Sequence, residues 1–265
     1  MKEKKLYIVM VGLPARGKST IAGKLKENLT KDAIKTRIFN NGDLRRRHAR
    51  RDTFQPEFYD PMNQDGVALR ETFALMNMRR AKAYLGNNGQ VAILDATNVS
   101  RKRREKTVSL LKDQPILFIE CMNDNDDILD ASILTKIAHP ELRHLDRNTA
   151  VDVFKQRIHY YNTIYQPLMY EKNRVKLDSL NNMILEEEIV EDIPYYDRIR
   201  DFLVTDTVKN LFLIRHGETY FNLEDRIGGD SPLTAYGKAQ AEAMARYFKK
   251  KRIPVIFTSE KKRTI

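Results

Sequence analysis

Apolar positions along this chain follow two alternating rhythms. Four short runs, residues 6–11, 36–39, 91–94 and 115–120, are rich in aliphatic and β-branched side chains and have strand length. Runs of this length and composition read as strands. Between them, residues 18–29, the stretch around 67–85, and residues 101–112 are rich in helix formers. Leu69, Phe73, Met76 and Ala83 recur at helical spacing and predict one buried face. Strand–helix alternation of this kind builds a mainly parallel sheet flanked by helices, an α/β fold. Two more helices are predicted at 126–137 and 149–165, with His139-Pro140 as the break between them. An acidic patch, Glu186, Glu187, Glu188, Glu191 and Asp192, precedes a last predicted helix at 195–202.

The rhythm restarts near Asn210. A strand at 211–214 leads into Arg215-His216-Gly217-Glu218, then a helix at 233–250 and a strand at 255–257. A fresh βα unit this late marks a second domain, of which about 56 residues are present where small domains usually need 100 or more. The expectation is either a shortened second domain or a tail packed on the first.

The turn after the first strand reads Gly12-Leu13-Pro14-Ala15-Arg16-Gly17-Lys18-Ser19, followed by Thr20. This is G-x-x-x-x-G-K-S between a strand and a helix, the pattern that wraps backbone amides around phosphates. Gly12 and Gly17 supply the backbone angles of the curl, and the amide-rich helix start faces the anion. Lys18 is predicted to reach the β- and γ-phosphates, and the Ser19 hydroxyl to ligate Mg²⁺. The run at 91–94 delivers Asp95 at its carboxyl end. A carboxylate there either holds the water shell of Mg²⁺ or accepts the proton of an attacking hydroxyl; the plain alternative is a cap on the next helix. A mononucleotide kinase or a nucleoside triphosphatase is the leading class.

Charge narrows the partner. Lys and Arg number 47 against 36 for Asp and Glu, a formal +11, which favours an anionic ligand. Part of the surplus is clustered: residues 44–51 read Leu-Arg-Arg-Arg-His-Ala-Arg-Arg, and Arg101-Lys102-Arg103-Arg104 follows Asp95. Guanidinium forks engage two phosphate oxygens at once, so one residue of each run is placed beside the nucleotide and the others on solvated helix faces. Neither run interleaves aromatic residues, as a single-stranded nucleic-acid groove does. The basic runs at 249–252 and 261–263 read as solvated surface, Arg263 excepted. A single cysteine, Cys121, excludes an internal disulfide framework and a cysteine-rich zinc site. No apolar run approaches membrane-spanning length, and Met-Lys-Glu-Lys-Lys runs straight into the first strand without a signal peptide. The expectation is a cytoplasmic protein with no membrane or nucleic-acid partner.

Gly12 to Thr20; Phe39-Asn40-Asn41-Gly42 with its following arginines; Asp95-Ala96-Thr97-Asn98 with Arg101 and Arg103; Lys136 with His139-Pro140; Arg157 with Tyr161; and Tyr165-Gln166-Pro167-Leu168 follow one another along the chain. In that order they resemble the kinase half of the bifunctional 6-phosphofructo-2-kinase/fructose-2,6-bisphosphatase family. Leu213-Ile214-Arg215-His216-Gly217-Glu218, Arg226-Ile227-Gly228-Gly229-Asp230 and Lys262-Arg263-Thr264-Ile265 are similar to the opening motifs of its phosphatase half. The phosphate loop alone is generic; its combination with Arg-His-Gly-Glu is specific.

The resemblance implies a P-loop kinase domain at 1–207, then the truncated start of an α/β histidine phosphatase, phosphoglycerate mutase-like, at 208–265. It implies transfer of the γ-phosphoryl of MgATP to the 2-hydroxyl of fructose 6-phosphate, giving fructose 2,6-bisphosphate, in a homodimer joined through its kinase halves. Positions matching the family's sugar-phosphate contacts are Arg45, Arg70, Thr97, Arg103, Lys136, Arg157 and Tyr161. Those matching its nucleotide contacts are Gly12 to Thr20 together with Ala131, Ser132, Ile133, Leu134, Thr135 and Lys136. Arg157 and Tyr161 lie four apart on a predicted helix, hence on one face, a spacing that a structural pair shows equally. Lys18 and Lys136 are placed to spread transition-state charge. Past residue 210, the resemblance implies His216 as phosphoryl acceptor, with Arg215, Asn222, Gly228 and Arg263 in its phosphate pocket.

This chain departs from the family pattern twice: Met122 stands where the family has a cysteine, with Cys121 one place earlier, and Ala131 where the nucleotide segment usually begins with Asn. The family's proton-donating Glu and second His lie beyond Arg-Thr-Ile. Of His48, His139, His144, His159 and His216, only the last follows residue 210, so little or no phosphatase activity is expected of this polypeptide. Two rival readings remain for the kinase half. A polynucleotide or RNA kinase predicts binding that weakens steeply with salt; a catalytically silent nucleotide-binding regulatory module predicts turnover indifferent to replacement of Lys18.

Overall fold

Every residue of β1 (Leu6–Val11) is buried, because its two faces feed two cores. Leu6, Ile8 and Met10 pack with Ile21, Leu25 and Leu29 of α1 (Lys18–Lys31) and with Ile199 and Leu203 of α7 (Tyr196–Val204). Tyr7, Val9 and Val11 pack with Ala74, Met78, Ala81 and Leu85 of α3 (Gln64–Gly86). A strand sandwiched this way has no solvent face on which to place polar residues. In this computed structural model β3 (Val91–Asp95) and β4 (Ile116–Met122) flank β1 in parallel. β2 (Thr36–Asn40) lies outside β3, β5 (Arg174–Asp178) outside β4, and β6 (Met183–Glu188) closes that edge antiparallel, giving the order β2-β3-β1-β4-β5-β6. The carboxyl ends of five parallel strands therefore share one edge. From β1 the chain first moves toward β2 and β3 and then crosses to β4, and the crevice at such a reversal is where sheets of this kind hold ligands.

The structure describes residues 4–49, 53–123, 125–138, 141–142, 144–205, 212–249, 251 and 256–264. The readings that fall on Arg50, Arg51, His139, Pro140, Asn210, Leu211, Lys250, Arg252, Val255 and Ile265 lie outside them. Two compact units are present, Met1–Asp206 and Thr207–Ile265. The first also contains α2 (Asn41–His48), a 3₁₀ turn at Pro56–Tyr59, α4 (Arg101–Leu110), α5 (Asp126–Ile137) and α6 (Arg147–Thr163). Ile133 and Ile137 of α5 form a smaller core with Leu142, Ala150 and Phe154. Among the described residues no helix is long and apolar enough to cross a membrane.

Several local expectations change. On α3, Phe73 is buried, but with Ala74, Asn77, Met78, Ala81 and Leu85; Leu69 and Met76 are each 36% exposed and Ala83 is exposed. The buried stripe follows the 3.6-residue period along a line that leaves those three at or beyond its edge. The turn expected at Phe39-Asn40-Asn41-Gly42 is the start of α2, where Asn40 caps the helix by accepting from the Asp43 amide at 2.9 Å. The acidic residues Glu186, Glu187 and Glu188 form the edge strand β6. Glu186 pairs with Arg174 and Lys176 across the ladder, so cross-strand charge replaces the apolar alternation that would have announced a strand.

The second unit contains α8 (Tyr220–Leu223), α9 (Ala235–Phe248) and an isolated bridge between Thr219 and Leu233. Phe212, Leu213 and Ile214, expected in a strand, are irregular, as are Ile256 and Phe257. A strand needs a neighbour to complete its hydrogen-bond ladder, and no described residue provides one.

Candidate active site

The phosphate loop is fixed by its neighbours before any ligand is considered. Gly12 has φ +133°, and a Cβ there would lie 2.5 Å from the carbonyl oxygen of Cys121, so neither its backbone angle nor its space admits a side chain. The Gly12 amide donates to the Thr97 carbonyl at 2.9 Å, and Asn98 Nδ2 donates to the Met10 carbonyl at 2.8 Å. These bonds tie the loop to the segment after β3. Gly17 (φ +78°) is backed by Ser179, whose hydroxyl lies 3.0 Å from the carbonyls of both Arg16 and Met122. Lys18, only 7% exposed, donates from its ammonium to the Leu13 carbonyl. Burial pushes its pKa down to about 8; Asp95 opposes the shift, while Lys136 and Arg157 add to it.

Asp95 ends β3 directly opposite Asn40 at the end of β2. That register lets Asn40 Nδ2 donate to Asp95 Oδ2 at 2.6 Å, while Asn40 Oδ1 caps α2. One side chain thus orients the candidate catalytic carboxylate and fixes the helix that carries Arg45.

A cavity of about 290 Å³ opens at this edge. Pro14, Ala15, Lys18, Ser19, Asp95 and Thr97 line it, and so do Arg45, Arg70, Arg103, Arg157 and Tyr161, with Thr135 and Lys136 from α5. Each guanidinium is anchored differently. Arg45 is 4% exposed, with Nη1 3.0 Å from Thr53 Oγ1 and Nη2 donating to Glu141 at 2.7 Å. Arg103 Nε donates to Glu71 at 2.8 Å, and Arg70 donates to the Phe58 carbonyl. Arg157 lies over the ring of Tyr59, 4.1 Å from its centroid.

The remaining predicted nucleotide positions do not line this cavity. Gly12, Leu13, Arg16, Gly17 and Thr20 build the loop without lining the cavity, and Ala131, Ser132 and Leu134 do not line it either. Ile133 is 1% exposed in the core between α5 and α6, since a helix with 3.6 residues per turn cannot turn six successive residues to one side. Sequence reasoning missed Tyr59, Glu141 and Ser179, and overlooked the double use of Asn40. Only Asn40 left a signal, as the Asn before Asn41-Gly42-Asp43 at a helix start. Cys121 faces the core, and burial pushes its thiol up to about 12; Met122 is half-buried.

In the second unit His216 is half-buried, with Nδ1 2.8 Å from the Gly217 carbonyl, while Arg215 is exposed. Asn222 completes a capping box with Thr219. Gly228 has φ +87°, and Arg263 donates to the neighbouring Gly229 carbonyl at 2.8 Å.

The family model of 6-phosphofructo-2-kinase matches residues 1–217. The chain belongs to the 6-phosphofructo-2-kinase family. The histidine phosphatase superfamily (branch 1) model matches residues 211–265, a stretch that includes the motif around His216. The "6-phosphofructo-2-kinase/fructose-2,6-bisphosphatase 3" of Homo sapiens is 34% identical over 97% of this chain and 52% of its own length. The "6-phosphofructo-2-kinase/fructose-2,6-bisphosphatase" of Aquarana catesbeiana is 33% identical over 97% of this chain and 57% of its own. The chain therefore spans about half the length of the curated relatives it matches. Among solved structures, a gluconokinase from Sinorhizobium meliloti aligns over 76% of this chain and 91% of its own at 14% identity, with a TM-score of 0.44.

Proposed function

We propose that this cavity phosphorylates a small sugar phosphate: the γ-phosphoryl of MgATP passes to the 2-hydroxyl of fructose 6-phosphate, giving fructose 2,6-bisphosphate and ADP. The observation that carries the reading is a single cavity lined by Lys18, Ser19 and Asp95 and also by five guanidinium groups, those of Arg45, Arg46, Arg70, Arg103 and Arg157. A polynucleotide kinase would present a groove tracking many phosphates; a volume of about 290 Å³ suits one small phosphorylated sugar. Membership of the 6-phosphofructo-2-kinase family and the names of the relatives favour the same substrate.

The residues fit both implied groups. A loop whose Gly12 leaves no room for a Cβ brings backbone amides close to a triphosphate. One hydroxyl and one carboxylate are a donor set Mg²⁺ accepts when phosphate oxygens and water complete its shell. Ser19 and Asp95 would hold that ion, which when bound supplies charge neutralisation at the phosphate oxygens. In the reading we favour, Lys18 and Lys136 offset charge on the transferring group, Thr135 and Lys136 border the nucleotide, and Arg45, Arg70, Arg103 and Arg157 hold the 6-phosphate. Thr97 and Tyr161 bond sugar or phosphate oxygens, and Asp95 takes the proton of the attacking hydroxyl. A bond forms from the sugar's 2-oxygen to the γ-phosphorus as the bridging bond to the β-phosphate breaks. Positioning and electrostatics then supply most of the acceleration, in a homodimer joined through the kinase halves.

For the second unit the reading is the start of a fructose-2,6-bisphosphatase that works through phosphorylated His216. The 265-residue polypeptide lacks a second histidine after residue 210 and is expected to release little phosphate. Incubation with MgATP and fructose 6-phosphate, with the new phosphate located by phosphorus NMR, tests the main reading: the 2-oxygen is expected, and phosphate on C1 or an unchanged sugar would overturn it.

A further inference from the structure

Tyr59 ends the 3₁₀ turn Pro56–Tyr59, is 2% exposed and lines the cavity. Three guanidinium groups surround its ring: Arg157 at 4.1 Å from the centroid, Arg45 at 5.6 Å and Arg70 at 6.0 Å. The Tyr161 ring is 5.8 Å away, centroid to centroid. The negative face of an aromatic ring attracts cations, so Tyr59 allows three like charges to crowd one point that their mutual repulsion would otherwise open.

The hydroxyl is the informative atom. It is buried and has no hydrogen-bond partner among the described residues. Buried phenols nearly always find one, and burial pushes this phenol above the ordinary tyrosine range, so its proton is present at neutral pH. Arg157 Nε, held by the same ring, is likewise buried without a partner. Arg45 and Arg103, by contrast, already have carboxylates in Glu141 and Glu71. Two buried donors without acceptors, on two residues that line the cavity amid positive charge, call for an anionic acceptor that comes with the ligand.

Resting on the reading of this cavity as the sugar-phosphate site, we propose that Tyr59 is a substrate-binding residue: its hydroxyl donates to an oxygen of the substrate's phosphate beside Arg157, and its ring sets the spacing of the three guanidinium groups. Tyr59→Phe removes the hydroxyl and keeps the ring. KM for fructose 6-phosphate is expected to rise about tenfold to a hundredfold, the worth of a hydrogen bond to a charged group, with kcat within about twofold and KM for ATP unchanged. Without substrate the variant should melt no lower than the parent, because the lost hydroxyl had no partner, and fructose 6-phosphate should raise its melting temperature by less. Tyr59→Leu removes the ring as well and should raise KM further. An unchanged KM in Tyr59→Phe overturns the proposal, as does a lower melting temperature without substrate, which would reveal a protein partner for the hydroxyl. If the parent enzyme fails to phosphorylate fructose 6-phosphate at all, the reading of the cavity falls and this proposal with it. An active parent indifferent to Tyr59→Phe sinks the proposal alone.

Discussion

Lys18 and His216 both belong to motifs that handle phosphoryl groups, yet their surroundings share little. Lys18 opens α1 after a loop that follows a strand buried along its length, and that loop is fastened to β4 by Ser179 and to the segment after β3 by Gly12. His216 follows Leu213 and Ile214, which are 88% and 52% exposed, and no hydrophobic side chain of Thr207–Ile265 is buried among the described residues. Its partners are local: caps, a turn and one bridge. A motif supplies the reacting groups and their order; close packing holds them in one arrangement. The first unit has both, and the second, in the residues described, has mainly the motif.

Hydrogen exchange should show the contrast at its largest. Amides of β1, β3 and β4 are expected to open only with global unfolding, and those of α9, with Gly237 its one buried residue, by local fraying. Since global stability is typically about 5–15 kcal/mol and local opening far less, protection should differ by a factor on the order of 10³ or more. Equal protection in α9 and β1 would erase the distinction. Substitution gives the next largest effect. Lys18→Met should lower ATP-dependent turnover by roughly 10³-fold, since it removes charge stabilisation from the transition state, whereas His216→Ala should leave it within about twofold. Product-formation assays on both variants decide this; a silent regulatory module would be indifferent to the first substitution.

The same contrast governs what was legible in the sequence. β1 and α5 fall on the predicted residues because an unbroken aliphatic run and a strong break leave few alternatives. The placing of the loop and of Asp95 at the carboxyl edge of the sheet was legible because both follow from local spacing. β6 was not, since its pairing depends on Glu186 meeting Arg174 and Lys176 across strands, a relation with no local period, while the alternating Val175 and Leu177 of β5 were a signal that sequence reasoning overlooked. Tyr59 was invisible for a related reason: its role comes from Arg45, Arg70 and Arg157, which sequence scatters over three helices. The strands expected beyond residue 210 have the apolar residues but, among the described residues, no neighbouring strand to pair with.

The smallest effect is a fraction of a proton. Lys18 has its pKa pushed down from 10.5 to about 8 by burial. The unfolded chain therefore holds this proton more tightly between pH 8 and 10.5, so the group's contribution to stability rises with pH across that window. A bound triphosphate works in the opposite sense: its negative charge favours the ammonium and raises the pKa again. Binding of MgATP at pH 8 should then draw about half a proton onto Lys18, and almost none at pH 6, where the group is already charged. Titration calorimetry in two buffers of different ionisation enthalpy counts that proton, and Lys18→Met should abolish the uptake at pH 8. If the variant takes up as much as the parent, the proton belongs to another group, and Lys18 is not the buried cation that meets the phosphates.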